Sequence, residues 1–198
     1  MTDTLMFHAG NRSLQDEFDS RRVADKLESR ARTAFNDEDA DFIKSASYFF
    51  LATADAEGRP DCSFKGGPMG FVQVTGPADL AYPDYDGNGM FKSLGNARAN
   101  PHVGLLFIAM HGTPRRLRVN GTATISRGDP LMASTIGAQL MVRVAVEMIF
   151  PNCPRYVPHM QLEAPSAYLP QAGQAPVEPA WKSYEGFAEI VHPRQPTA

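Results

Sequence analysis

Residues 140–150 read Leu-Met-Val-Arg-Val-Ala-Val-Glu-Met-Ile-Phe, and apolar side chains occupy every second position. Leu140, Val142, Val144, Val146, Met148 and Phe150 share one side of an extended chain, while Gln139, Arg143 and Glu147 share the other. Side chains of a strand alternate between two faces, so this spacing predicts a long strand with one dry face. Residues 115–125 repeat the pattern, with Leu117, Val119, Ala123 and Ile125 opposed to Arg116, Arg118, Asn120, Thr122 and Thr124. Such strands belong to an antiparallel sheet, because a parallel sheet buries both faces and its strands read as unbroken apolar runs.

Shorter strands are expected at 48–53, 60–65, 71–74, 80–82 and 103–110. Asp55-Ala56-Glu57-Gly58 turns the first two into a hairpin. Helical signals are few. Ser13 with Asp16 has capping-box spacing, and Leu14, Phe18, Val23, Leu27 and Ala31 form a loose helical stripe. Asn36 with Asp39 marks a second helix reaching about Ser47. A third is expected over 88–100, capped by Asn88 and stopped by Pro101, with a short turn of helix at 129–135. Repeated strand-helix-strand crossovers are missing, so a doubly wound fold is not expected. The class is mainly β (α+β), a small antiparallel barrel or sandwich. Its organisation is an N-terminal helical segment (1–47), a β domain (48–163) and a C-terminal arm (164–198) packing through Trp181, Tyr184 and Phe187.

Composition narrows the function. A net charge of −3 provides no global basic field, which argues against nucleic-acid binding by bulk charge. Cys62 and Cys153 are far apart, and His8, His102, His111, His159 and His192 are scattered, so neither a disulfide framework nor a metal site is expected. Free thiols fit a reducing compartment, the cytoplasm. Met1–Met6 has no basic n-region, and the longest apolar run, 103–110, is too short to span a membrane. Dinucleotide-binding, Walker and nucleophile-elbow motifs are missing as well.

Four segments can carry chemistry. Asp61–Gly67 ends a strand in Ser63, Phe64 and Lys65 beside Gly66 and Gly67. A hydroxyl, an ammonium and approachable backbone amides suit an anion; from spacing alone, a strand end with a solvated lysine is the first choice. Tyr82-Pro83-Asp84-Tyr85-Asp86-Gly87-Asn88-Gly89 leads into a helix whose first N–H groups can hold an anion, or it is a plain loop. Arg115, Arg116 and Arg118 form a solvated strand face or hold a phosphate or an electron-rich ring. Pro151–Tyr156 fixes Arg155 between a proline and an aromatic, and Cys153 there reads as inert packing rather than a nucleophile.

In order and spacing these segments resemble the pyridoxamine 5′-phosphate oxidase-like superfamily of FMN-binding split barrels. The stretches 50–70 and 80–107 carry the likeness, and Phe7-His8, Arg116–Gly121 and Pro151–Tyr156 extend it. The likeness is to a bacterial subgroup described as FMN-dependent enzymes. It implies a six-stranded antiparallel split β-barrel with flanking helices, a homodimer, and two FMN molecules in clefts between subunits. Ser63, Phe64, Lys65, Gly66 and Gly67 would run along the flavin toward its phosphate. Tyr82, Pro83 and Asn88 correspond to a segment that touches flavin and phosphate. The oxidase has Arg and Lys where this chain has Asn88 and Gly89, so the phosphate would rely on Lys65, backbone amides, Lys92 and Ser93. Arg116 matches a Gln at the flavin ring, Arg155 is a second candidate there, and Trp181 corresponds to a C-terminal Trp near the cofactor.

The oxidase's C-terminal Arg/His substrate motif is not found; the chain reads Gly186–Val191 there. Pyridoxamine phosphate is therefore not the expected substrate. The implied activity is an FMN-dependent oxidoreductase taking a small-molecule substrate or a nicotinamide electron donor, by direct hydride exchange with the flavin. The competing readings are a flavin carrier or sensor that never turns over, and a barrel binding deazaflavin F420 or haem.

Overall fold

The computed structural model describes residues 6–191. The readings made on Met1–Leu5 and on His192 lie outside the described residues. Three N-terminal helices, α1 (Ala9–Glu17), α2 (Arg21–Glu28) and α3 (Asp37–Ser45), precede the first strands. Those are β1 (Tyr48–Ala54), β2 (Pro60–Gly66), β3 (Gln73–Gly76) and β4 (Asp79–Tyr85). Helix α4 (Lys92–Ala99) follows, then β5 (His102–Ala109), β6 (Arg115–Ser126) and β7 (Ala138–Asn152). Short 3-10 turns occur at Pro130–Ser134 and Ala180–Ser183. No helix among the described residues is long and apolar enough to cross a membrane.

All seven strands join one sheet in the order β2-β1-β5-β6-β7-β4-β3, every pairing antiparallel. The count is seven rather than six because four-residue β3 adds an edge to β4. The sheet curls tightly on itself. Strands β1 and β4 stand four places apart, which in a flat sheet is about 19 Å. Yet the rings of Phe49 on β1 and Tyr82 on β4 meet edge to face with centroids 4.9 Å apart. Phe71 and Phe107 complete the cluster at 5.9 and 5.3 Å from Phe49. The concave side holds the core, in which Leu51, Leu80, Leu105, Leu117 and Val142 are almost wholly buried.

The alternation expected on β7 holds from Leu140 to Val146 and then reverses. Ile149 is fully buried, whereas Met148 and Phe150 are only partly so. The cause is a β-bulge: Asn120 pairs with Met148 but Gly121 with Val146, so Glu147 has no partner on β6. One extra residue moves every later side chain to the opposite face. Gly121 makes the bulge possible, since an added Cβ would stand 3.0 Å from the Ala145 carbonyl carbon and closer to its oxygen.

The N-terminal segment also departs from expectation. His8, not Ser13, caps α1, accepting from Gly10 N at 3.1 Å. Asp19, at φ 47°, breaks the predicted stripe into two helices, and Leu14, Phe18, Val23 and Leu27 are exposed. Asn36 caps α3 as its spacing implied, accepting from Asp39 N at 2.8 Å. The buried Asp39 carboxylate binds Arg32 and, at 3.4 Å, Arg115 of β6. Arg32 also exchanges backbone hydrogen bonds of 2.9 and 2.7 Å with Ile149. The segment is thereby fixed to β6 and β7.

Candidate functional site

Where the curled sheet brings β2 opposite β4, a cavity of about 1040 Å³ opens between them and the N-terminus of α4. One wall is β2, contributing Asp61, Ser63, Phe64, Lys65 and Gly66. The opposite wall is the end of β4 and the loop after it, including Pro83, Asp84, Asp86 and Asn88. Lys92 and Ser93 of α4 close one end, with Arg127 and Gln139 from either side of the β6–β7 connection. Ser63, Phe64, Lys65, Gly66, Pro83, Asn88, Lys92 and Ser93, separated by up to thirty positions in the chain, therefore meet around one space.

The helix α4 begins later than its sequence suggested, at Lys92 rather than Asn88. Asn88 spends its side chain within its own loop, accepting from Met90 N at 3.0 Å. The N-cap falls on Phe91, which makes no side-chain cap and sits at φ 48° and ψ 28°. The amides of Lys92, Ser93 and Leu94 thus have no intrahelical acceptor, and the positive end of the helix dipole faces the cavity. Gly87 and Gly89 add no bulk, since a Cβ at either would meet nothing within 4 Å.

Three carboxylates line the cavity, and each already has a donor. Asp84 is buried; Lys65 Nζ lies 3.7 Å from it and Gln139 Nε2 donates to it at 2.9 Å. Asp86 holds Lys182 of the C-terminal arm at 2.8 Å. Ser93 Oγ lies 3.0 Å from Asp61 and 2.9 Å from Ser63 Oγ. With one hydroxyl hydrogen each, Ser93 donates to the carboxylate and accepts from Ser63. Lys92 and Arg127 make no ion pair among the described residues. Burial pushes the Tyr85 phenol up to about 12, so it stays a neutral hydrogen-bonding group at physiological pH.

The apolar part of the lining is open. Phe64 is 63% exposed although its ring stacks on Tyr48 at 5.5 Å. Gly66 permits this, because an added Cβ would come 2.8 Å from the Phe64 ring. Met90 and Phe91 are exposed as well. Cations, orphan amides and an apolar face fit a ligand with a terminal phosphate and a flat ring system. FMN has that composition, so the donor set suits it.

Five anticipated residues lie elsewhere in the chain. Tyr82 is buried under Phe49 in the core, and Gly67 leaves room for Phe71, whose ring would stand 2.6 Å from an added Cβ. Arg116 lies eleven residues before Arg127, roughly 35 Å along an extended chain. It donates to the Cys153 carbonyl, and Arg155 lies 5.9 Å from the Tyr156 ring centroid. Trp181 packs edge to face on Phe187 at 5.6 Å. Its neighbour Lys182, however, ties the arm to Asp86 at the cavity. Cys153 is exposed and free, and hydrogen bonds from the Arg155 backbone and side chain hold its thiol below the usual range. Arg127 and Gln139 were missed by sequence reasoning because they flank an ordinary strand connection with no local signature.

The fold and its cleft define a curled antiparallel β protein with a cavity lined by cations, free helix amides and apolar side chains. Residues 35–160 match the family model described as pyridoxamine 5′-phosphate oxidase, and the chain belongs to that family. Among solved structures it is similar to HupZ from Group A Streptococcus, at 19% identity over 59% of this chain and 93% of that one, with a TM-score of 0.47. An FMN-binding protein from Syntrophomonas wolfei is 11% identical over 71% and 95%, with a TM-score of 0.46. HutZ, the heme storage protein from Vibrio cholerae, is 19% identical over 58% and 92%, with a TM-score of 0.44. No curated protein matches the chain.

Proposed function

We propose that this protein binds FMN and works as an oxidoreductase on a small molecule other than pyridoxamine phosphate, with a nicotinamide as electron donor. The observation that carries the reading is the uncapped N-terminus of α4, which opens on the same cavity as Lys65, Lys92 and the exposed Phe64 ring. The amides of Lys92, Ser93 and Leu94 hold the phosphate, and Lys92 and Lys65 neutralise it. Lys182 cancels the charge of Asp86, which would otherwise repel the anion. Phe64 covers part of the ring and excludes water from one face. Bound flavin would supply hydride transfer, the chemistry that no side chain here can perform alone.

The reading includes a homodimer in the cytoplasm. Phe64, Met90 and Phe91 are large, exposed and apolar at the cavity, and a second copy of the chain would cover them. In that arrangement Arg116 and Arg155 serve the cavity of the other copy, with a guanidinium near the ring to stabilise negative charge, while Trp181 stays by its own, where Lys182 ties the arm to Asp86.

The test is the absorbance of protein purified without added cofactor, then of protein given FMN. Flavin absorbs at about 450 nm, F420 at about 420 nm and haem at about 400 nm. Among the described residues no histidine lines the cavity, so a haem there would need its axial ligand from elsewhere. Yellow protein that oxidises NADH or NADPH supports the oxidoreductase, and yellow protein without turnover supports a carrier. Protein that stays colourless with excess FMN removes both, and a strictly monomeric protein that binds FMN normally removes the shared interface.

A further inference from the structure

Two surfaces of the chain complement each other in chemistry and yet lie apart. On α2, Val23 and Leu27 are exposed, one turn from each other. Arg22 and Lys26, also exposed, form a cationic row beside them. Neither cation makes an ion pair among the described residues. The opposite side of α2 is used within the chain, where Asp25 and Glu28 bind Arg12 of α1 at 2.6 and 3.0 Å. The free side is therefore an apolar stripe with a basic edge, on a helix anchored from behind.

The end of the C-terminal arm is the counterpart. Phe187 N and Ile190 N each donate to the carbonyl three residues back, at 2.9 and 3.0 Å, so the segment winds in tight turns. Residues three apart in such turns fall on one side, which aligns Tyr184, Phe187 and Ile190, all exposed. Glu185 and Glu189 flank them, exposed and without an ion pair among the described residues.

The framework of one chain holds the two surfaces apart. Arg32, shortly after α2, bridges to Ile149 near the end of β7. Lys182, shortly before the acidic segment, is tied to Asp86, which follows the Tyr85 partner of Ala138 at the start of β7. Eleven residues of strand, roughly 36 Å, separate those anchors. A two-fold axis across β7 lays its start in one copy against its end in another and makes both contacts at once.

We propose that the segment Tyr184–Val191 of one copy docks on α2 of a second copy, and the reverse, with the apolar rows in contact and Glu185 and Glu189 facing Arg22 and Lys26. The inference rests on the two-copy part of the reading above, uses a surface separate from the cavity, and needs no flavin. The same arm binds Asp86 through Lys182, so the exchange ties each cavity to the other copy.

The first experiment is carbodiimide cross-linking, which joins an amine to a carboxylate in direct contact, on an equal mixture of isotope-labelled and unlabelled wild-type protein. Lys26 should be joined to Glu185 or Glu189, and mixed-isotope peptides should show that the link runs between copies. The second is charge reversal, read by sedimentation over a dilution series. Arg22→Glu with Lys26→Glu, and separately Glu185→Lys with Glu189→Lys, should each weaken the dimer about tenfold or more at low salt. Mixing the two variants should restore wild-type affinity, because both contacts of the mixed pair again join opposite charges; that recovery also shows that both variants are folded. No link, a link confined to one copy, or a mixture no tighter than its components overturns the exchange. If the wild-type protein is dimeric in those cases, the cavity-facing pair stands. A strictly monomeric wild-type protein overturns both, and FMN binding remains a separate question.

Discussion

Replacing Lys65 with alanine separates two roles that one ammonium group plays. Its Nζ lies 3.7 Å from the carboxylate of Asp84, whose side chain is 11% exposed against 21% for Lys65. Removing the lysine leaves a nearly buried carboxylate with Gln139 Nε2 at 2.9 Å. An exposed pair contributes little and a broken buried pair costs several kcal/mol, so this partly buried one should cost roughly 1–3 kcal/mol. In a chain of this size that is a fall in Tm of about 2–12 °C. The second role is toward the phosphate. A charge-assisted hydrogen bond contributes about 1.5–3 kcal/mol, so FMN affinity should drop roughly 10- to 100-fold. Asp84→Asn resolves the two effects. In the Lys65→Ala background it should restore Tm, because an amide needs no cation, and should leave FMN weak. Alone, it frees Lys65 from its carboxylate and should tighten FMN. The assays are thermal unfolding and flavin-fluorescence titration at low and high salt. Wild-type FMN affinity in Lys65→Ala at low salt would refute the phosphate role, and a Tm deficit that persists in the double variant would refute the account of Asp84.

Gly121→Ala should destabilise the protein by about 3 kcal/mol, read by denaturant unfolding, because its Cβ would press on the backbone of Ala145 rather than on a movable side chain; a cost near zero would mean the bulge at Glu147 is not rigid. Phe49→Ala should cost about 3–5 kcal/mol and weaken FMN together with stability, since the ring holds the curl between β1 and β4; loss of stability with full FMN affinity would separate the curl from the cavity. Cys153 should alkylate with a half-maximal rate below the pH of an ordinary thiol, because its thiolate is favoured by Arg155. Arg155→Ala keeps the backbone N–H and removes the side-chain donor and charge, so it should move that midpoint part of the way up, and an unchanged profile by mass spectrometry would assign the stabilisation to the backbone amide alone.

Much of the secondary structure could be read directly from residue order. The covalent chain makes strand side chains alternate, so the dry faces of β6 and most of β7 were visible as spacing. The Asn36 cap and the Asp55–Gly58 turn were visible for the same reason: each depends on atoms only a few residues apart. The cavity-lining segments at Ser63–Gly66 and Pro83–Asn88 could also be singled out one at a time. Their meeting was not, because it depends on how far the whole sheet curls, and that is decided by Phe49, Phe71, Tyr82 and Phe107 packing across the core. The same holds for the reversal of facing at Glu147, which needs a partner strand to define it. It holds too for the roles of Arg127 and Gln139, which enter the cavity only because β7 lies beside β4. Periodicity records which side of an element is dry; which elements then face one another across a cavity is settled by contacts between distant residues, and those leave no local trace in the chain.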